Sequence, residues 1–278
     1  MTRHLRIAAV TAVTAIAVLA TAATASAWAP AGQATVRPGV QTLTGGSNQC
    51  TANFVFSDGA ATYIGQAAHC SSTGAANETN GCLAASMPNG TSVDIEDYRN
   101  PGSFPVRGTM VYNSWLEMQA DGETDQNACR YNDFALIRLD NAGVAQTNPS
   151  IPFFGGPTGV TTSVPQLADV FTYGNSSLRF GIEQLKPKSG TNVQQTGGGW
   201  HYDVYTVTPG IPGDSGSAFV DAQGRAFGVL STLAAAPLPA SNGVSDVSRA
   251  IAYMHAHSDA FDGVTLQNGT EPFRVRRL

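Results

Sequence analysis

Short apolar runs with a period of two recur along this chain, each closed by glycine, asparagine or serine. The clearest lie at 53–56, 61–65, 108–112, 134–139, 169–173, 202–208 and 226–231. Successive side chains of a strand point to opposite faces, so runs of this kind form strands with one buried face. Their regular spacing predicts an all-β sandwich or barrel. Ser57-Asp58-Gly59 separates the first two runs and reads as a tight hairpin. One late stretch breaks the pattern. From Ser245 to about His257, Val247, Ile251 and Met254 recur at helical spacing, which predicts a C-terminal helix. Residues 147–162 are rich in proline, glycine and threonine and mark a boundary between two halves, each able to hold a small barrel.

Residues 1–27 stand apart from this pattern. Arg3, His4 and Arg6 precede an apolar run, and Ala25-Ser26-Ala27 ends it. That is the layout of a cleaved secretory signal, with processing after Ala27. The run is short, alanine-rich and broken by threonines, unlike a membrane anchor. An extracellular protein is therefore expected, off the membrane once the signal is removed. Residues 28–150 would hold an N-terminal segment and the first half. Residues 151–278 would hold the second half, the late helix and a tail. Only 13% of residues are charged and the net charge is −5. No basic stripe points to nucleic acid. The four cysteines, Cys50, Cys70, Cys82 and Cys129, form an even set behind an export signal. Two disulfides are expected, with three pairings open. No CxxC or HxxxH spacing suggests zinc, and nothing calls for another metal or an organic cofactor. Four Asn-x-Ser/Thr sites, at Asn77, Asn89, Asn175 and Asn268, read as surface loops.

The segment 208–217 reads TPGIPGDSGS. Its prolines and glycines exclude a helix interior and predict a rigid, irregular loop around Ser215. Such a loop fixes the direction of one hydroxyl and of the neighbouring N–H groups. Two other stretches offer partners. His69, in Gly65-Gln66-Ala67-Ala68-His69-Cys70, ends an apolar strand, a good place for an anchored imidazole. Asp133 opens the apolar strand Phe134-Ala135-Leu136-Ile137-Arg138-Leu139. A carboxylate entering a core needs a hydrogen-bonding partner, and a histidine N–H would serve.

Taken together, Ala67-Ala68-His69-Cys70, Asn132-Asp133-Phe134-Ala135-Leu136-Ile137-Arg138-Leu139 and Gly213-Asp214-Ser215-Gly216-Ser217 resemble the chymotrypsin/trypsin-like serine proteases, in a bacterial-type secreted form. The order His, Asp, Ser is that family's order and differs from those of subtilisins and α/β-hydrolases. The resemblance runs from about Gln41 to His257. It implies two six-stranded antiparallel β-barrels packed with the active-site cleft between them. It implies Ser215 as nucleophile, His69 as general base, Asp133 as the orienting carboxylate, and the N–H groups of Gly213 and Ser215 as an oxyanion hole. It also implies a Cys50–Cys70 disulfide, which leaves Cys82 with Cys129. The partners would be polypeptide substrates and protein protease inhibitors, and a monomer is expected.

The resemblance further implies a pocket for the residue before the cleaved bond. Pro209 would stand at its base, with Ser231, Thr232, Leu233 and Gly243 as walls. No charge lies among these residues, so small to medium apolar side chains are expected. The family buries the aspartate before the nucleophile beside a positive group. Leu43-Thr44-Gly45-Gly46 resembles the family's activation start only weakly, so an internal arginine, Arg179, is expected to pair with Asp214. The alternative to a peptidase is an inactive homologue that binds in the same cleft. A second alternative, an α/β-hydrolase esterase, is disfavoured, because Ser217 stands where its Gly-x-Ser-x-Gly elbow needs the last glycine and the pattern has a period of two.

Overall fold

Seven strands form between residues 41 and 139: β1 (Gln41–Thr44), β2 (Asn48–Thr51), β3 (Val55–Ser57), β4 (Thr62–Gln66), β5 (Ser92–Ile95), β6 (Val106–Asn113) and β7 (Ala135–Leu139). Six more follow between 169 and 246: β8 (Asp169–Tyr173), β9 (Pro187–Thr196), β10 (His201–Thr206), β11 (Ala218–Asp221), β12 (Ala226–Ala234) and β13 (Ser241–Asp246). The structure is a computed structural model and describes residues 28–75, 78–234 and 240–276. The expected leader, 1–27, and Asn77 lie outside the described residues.

The second half closes as expected into an antiparallel six-stranded barrel, in the order β10-β13-β12-β11-β8-β9. The first half corrects the expectation. With the short β14 (Thr265–Leu266) from the tail, it is an eight-stranded sheet in the order β14-β3-β4-β7-β6-β5-β1-β2 and does not close into a six-stranded barrel. Closure would require β2 to pair with β3. The chain between them turns at Ala52 and Asn53, whose amides donate to Val40 O and Gly65 O, both at 2.8–2.9 Å. The amide of Thr51, at the end of β2, donates instead to Ser215 O in the other half, at 2.8 Å. The outer edge of β3 is taken by β14 (Thr265–Leu266), with Thr265 opposite Ser57. The tail, for which the sequence suggested no role, thus returns to the first sheet and covers an edge.

Among the described residues four α-helices form: α1 (Ser114–Asp121), α2 (Gln126–Tyr131) and α3 (Asn141–Ala145) in connections, and α4 (Val247–His257) after β13. Each has a side-chain cap. Asn113, Asp125, Asp140 and Asp246 accept from backbone amides of the first turns, satisfying donors a helix start leaves open. The late helix begins two residues after its expected start, because Ser245 and Asp246 still belong to β13. The sequence pattern did not announce α1, α2 or α3.

Each half has its own core. Ile64, Val93, Ile95, Met110 and Ile137 pack in the first, and Val170, Tyr202, Val204, Phe219, Phe227 and Val244 in the second. A third cluster joins them, bringing Phe54, Phe56, Tyr112 and Phe134 against Phe171, Val220, Val229, Val247 and Met254. Fully burying side chains of this size stabilises by about 1.5–3 kcal/mol each, so the two halves are fixed to one another by the same effect that forms each of them.

Both disulfides pair as expected, Cys50 with Cys70 and Cys82 with Cys129. The second joins residues 47 apart in sequence and ties the 80s loop to α2, just before Asp133. Replacing Cys82 and Cys129 by serine is expected to lower stability by about 2–4 kcal/mol, measured as a drop in the denaturant midpoint of the oxidised protein.

Candidate active site

His69 sits in a single 3₁₀ turn, Ala68–Ser71, directly after β4. Three features hold this turn. Cys70 is bonded to Cys50 on β2. Asn113 Nδ2, at the end of β6, donates to Ala68 O at 3.2 Å and to Ser71 Oγ at 2.7 Å. The ring of Trp115 lies 6.4 Å from that of His69, centre to centre. The imidazole keeps about a quarter of its side-chain surface exposed.

Asp133 lies between α2 and β7 and is 2% exposed. His69 N donates to Oδ1 at 2.9 Å, and His69 Nδ1 donates to Oδ2 at 2.6 Å. Ser231 Oγ adds a third bond, to Oδ2, at 2.5 Å. Burial pushes the carboxyl pKa up, but the imidazole and these hydrogen bonds outweigh it and hold Asp133 below the ordinary 3.8. For His69, burial disfavours the imidazolium. The charge and hydrogen bond of Asp133 overcome that and raise its pKa above 6.5. The ring is thus oriented with Nδ1 committed to the carboxylate.

The Ser215 loop arrives from the other half. The Thr51 N to Ser215 O bond attaches it to the residue after Cys50. Gly216 has φ +86°, and a Cβ there would lie 2.5 Å from Thr51 O and 3.0 Å from Ala67 N. Only glycine permits this approach, which sets the residue after Ser215 against the segment leading into His69. Gly213 is buried at φ +94°, where a Cβ would meet Gln49 Oε1 at a distance below contact. The amides of Gly213 and Ser215 donate to no acceptor among the described residues.

Asp214, between them, is fully buried. Arg179 Nη2 lies 2.5 Å from its Oδ2, and Lys188 Nζ lies 2.9 Å from the same oxygen. The amides of Ser176 and Ile211 complete the shell. Burial raises the Asp214 pKa, but Lys188 and Arg179 more than offset this and leave it depressed. Burial, with Arg179 adding to it, pushes Lys188 below its ordinary 10.5 despite Asp214. Arg179 was the expected partner; Lys188, inside β9, carried no motif that could have revealed it.

The residues expected to line a pocket come together only partly. Pro209 O accepts from Arg179 Nη2 at 3.0 Å. Thr232 and Gly243 are cross-strand neighbours on β12 and β13. Leu233 is exposed. The hydroxyl of Ser231 turns to Asp133, a contact the pocket reading did not include. Asn242 was not foreseen. Its Oδ1 accepts from Gly210 N at 2.7 Å, and its Nδ2 donates to Val204 O and Thr206 Oγ1. Leu230 packs on the same glycine. These two side chains occupy the space beside the base. Asn175 is also corrected: it is buried and donates to Glu96 Oε2 at 2.7 Å, so it is no surface loop, and Glu96 is buried too.

The remaining histidines have partners elsewhere. His201 Nε2 lies 3.4 Å from Asp203, His255 Nε2 bonds Val264 O, and His257 Nδ1 bonds Asp121. Cys50, His69 and Cys70 bring three metal-ligating atoms within 4.8 Å of one another, but the two sulfurs are joined and offer no thiolate. No helix among the described residues is long and apolar enough to cross a membrane.

Solved structures resemble this architecture. Thermobifida fusca protease A superposes with a TM-score of 0.53 at 14% identity, covering 84% of this chain and 100% of its own. A Nocardiopsis protease gives 0.50 at 15%, with the same coverage. Cellulomonas bogoriensis chymotrypsin gives 0.50 at 18%, covering 84% and 98%. The fold is that of the chymotrypsin-like serine proteases. No protein-family model and no curated sequence matches the chain.

Within this chymotrypsin-like fold, Leu43 and Thr44 belong to β1 and pair on both sides, with β2 and β5. They do not reach Asp214, whose counter-charges are internal. Asp133 and Asp214 both have depressed pKa values in the folded state. The stability they contribute is therefore complete above about 3.8 and is lost as pH falls through their lower folded values. Asp214→Asn leaves two buried cations without an anion. It is expected to lower stability at pH 7 by about 3–5 kcal/mol, read by denaturant unfolding. The gap from wild type should narrow as both are taken below pH 3.8.

Proposed function

We propose that the protein is a secreted serine endopeptidase that works as a monomer on polypeptides. The observation that carries this reading is the 2.6 Å pairing of His69 Nδ1 with the buried Asp133, set beside a serine loop that presents two unpaired amides. Ser215 Oγ attacks the carbonyl carbon of the peptide bond while His69 Nε2 takes its proton. The carbonyl oxygen, now negative, receives the N–H groups of Gly213 and Ser215. As the tetrahedral species collapses, the C–N bond breaks and His69 returns the proton to the leaving amine, giving an acyl-enzyme. Water repeats the sequence and frees Ser215. Asp133 holds the ring and stabilises the imidazolium, and Ser231 holds Asp133. Each oxyanion donor is worth about 2.7–4 kcal/mol to the transition state in enzymes of this type.

The residue before the cleaved bond is proposed to be uncharged, apolar and small. Neither Pro209 nor Ser231, Thr232, Leu233 or Gly243 carries a charge, and Asn242 and Leu230 fill the space beside Gly210. Protein inhibitors of peptidases are the expected physiological partners. Export is supported by the sequence of residues 1–27 and by the two disulfides.

A fluorophosphonate probe is expected to label the wild type, and Ser215→Ala is expected to abolish labelling and to lower peptide hydrolysis by roughly 10⁶-fold. An unlabelled, folded wild type would assign the cleft to binding alone. Because the base must be neutral to accept a proton, and the His69 pKa is raised, kcat/KM is expected to fall on acidification through a value above 6.5. A profile flat down to pH 6 would remove His69 from the base role.

A further inference from the structure

We propose that the turn 178–182 is an apolar shelf that docks the substrate residues following the cleaved bond, so that apolar side chains there are preferred. This rests on the peptidase reading above.

Leu178, Phe180 and Ile182 are 55%, 86% and 46% exposed. Single exposed apolar residues are ordinary, but three large ones on one turn of five residues make a patch. The turn owes its form to the residue between the first two. Arg179 is buried and tied to Asp214 and to Pro209 O, which pulls position 179 inward and leaves its neighbours outside. Phe180 adopts φ +54°, a left-handed conformation that costs an ordinary residue steric strain, before Gly181 at φ +72°. The chain thus holds a large aromatic ring in water, on a strained backbone, with no burial of its own in return. Contact with a bound chain supplies that burial.

The shelf stands on one flank of the reaction centre. Ser176 lies against Gly213: a Cβ on that glycine would be 3.0 Å from Ser176 Oγ and 3.2 Å from Ser176 Cα. Ser176 Oγ accepts from Leu178 N at 3.1 Å, and Ser177 N donates to Gln49 Oε1 at 3.0 Å. The turn therefore springs directly from the amide proposed to receive the carbonyl oxygen, on the side of Gln49. The proposed pocket residues Ser231, Thr232, Leu233 and Gly243 belong to β12 and β13; Gly210, beside the pocket base, lies against Leu230 and Asn242 of those strands, whereas Gly213 lies against Gln49 and Ser176. A peptide whose carbonyl oxygen is held by Gly213 and Ser215, with its preceding side chain in that pocket, sends its leaving half toward Gln49 and the turn.

The test compares two internally quenched peptides identical up to the cleaved bond, one carrying leucine and phenylalanine after it and the other serine and glycine. Wild type is expected to favour the apolar peptide by about 10-fold or more in kcat/KM, the scale of burying one large apolar side chain. Phe180→Asn removes the ring and places a residue that tolerates the left-handed conformation. Leu178→Ser removes the other anchor without touching that backbone. In each variant the ratio of the two kcat/KM values is expected to collapse toward one. A merely structural role would lower both rates together and keep the ratio, and that result overturns the proposal. So does a wild-type ratio near one, or a patch that is instead covered by a second copy, seen as a dimer in sedimentation that Phe180→Asn disperses. Fluorophosphonate labelling of each protein keeps the two readings apart. Labelling without discrimination overturns the shelf alone, whereas a folded wild type that is not labelled overturns the peptidase reading beneath it.

Discussion

The buried carboxylate of Asp214 governs the geometry of everything around Ser215. Moving a carboxylate out of water costs several kcal/mol even after relaxation. Here the cost is met by Arg179, by Lys188 and by two backbone amides. Those four groups come from the segment just after β8, the turn that follows it, the start of β9 and the serine loop itself. The anion can be satisfied in only one arrangement of these segments, which is why the loop is rigid despite its glycines. Gly174 shows how tight the arrangement is, since a Cβ there would fall 2.5 Å from both Asp214 Oδ1 and Lys188 Nζ. The charges are supplied from within the barrel, so the loop can form without a newly cut chain end.

A second set of constraints fixes the other half of the site. The turn carrying His69 is held by the Cys50–Cys70 bridge, by Asn113 and by Asp133, and the bridge reaches β2, whose last residue bonds Ser215 O. Ser231 crosses from the second barrel to Asp133 in the first sheet. Asn175 crosses in the same way to the buried Glu96. Polar links of this kind need accurate geometry to repay desolvation. They work here because the shared apolar core, with Phe134 and Tyr112 facing Phe171 and Val229, has already set the two halves at a fixed distance.

Much of this was legible in the order of residues. The period of two announced the strands, and of the motif residues His69 and Asp133 come into direct contact, while the Ser215 loop is tied to the end of β2 through Thr51. What remained hidden has physical causes. Helices α1, α2 and α3 span eight, six and five residues, too short for a 3.6-residue period to show. The open edge of the first sheet depends on where the amides of Thr51, Ala52 and Asn53 find acceptors, which is a tertiary matter. Lys188 and Asn242 look like ordinary strand residues until a long-range contact gives each a buried partner. Asn175 resembled a surface site because its local turn chemistry says nothing about Glu96, far away in sequence.

The distribution of charge bears on how such a site would act. Asp133 accepts three hydrogen bonds, two from His69 and one from Ser231. The ring cannot rotate without breaking the bond that raises its pKa. On the other side of Ser215, one buried carboxylate faces two cationic groups, and burial, with repulsion from Arg179 adding to it, depresses the pKa of Lys188. With Lys188 protonated, that cluster carries an excess of positive charge within one residue of the two unpaired amides. In a medium of low polarity a fixed positive excess stabilises a nearby oxyanion and does nothing comparable for a neutral carbonyl. The ion cluster that shapes the loop would therefore also favour the transition state over the bound substrate, so that a single buried interaction serves both the fold and the chemistry proposed for it.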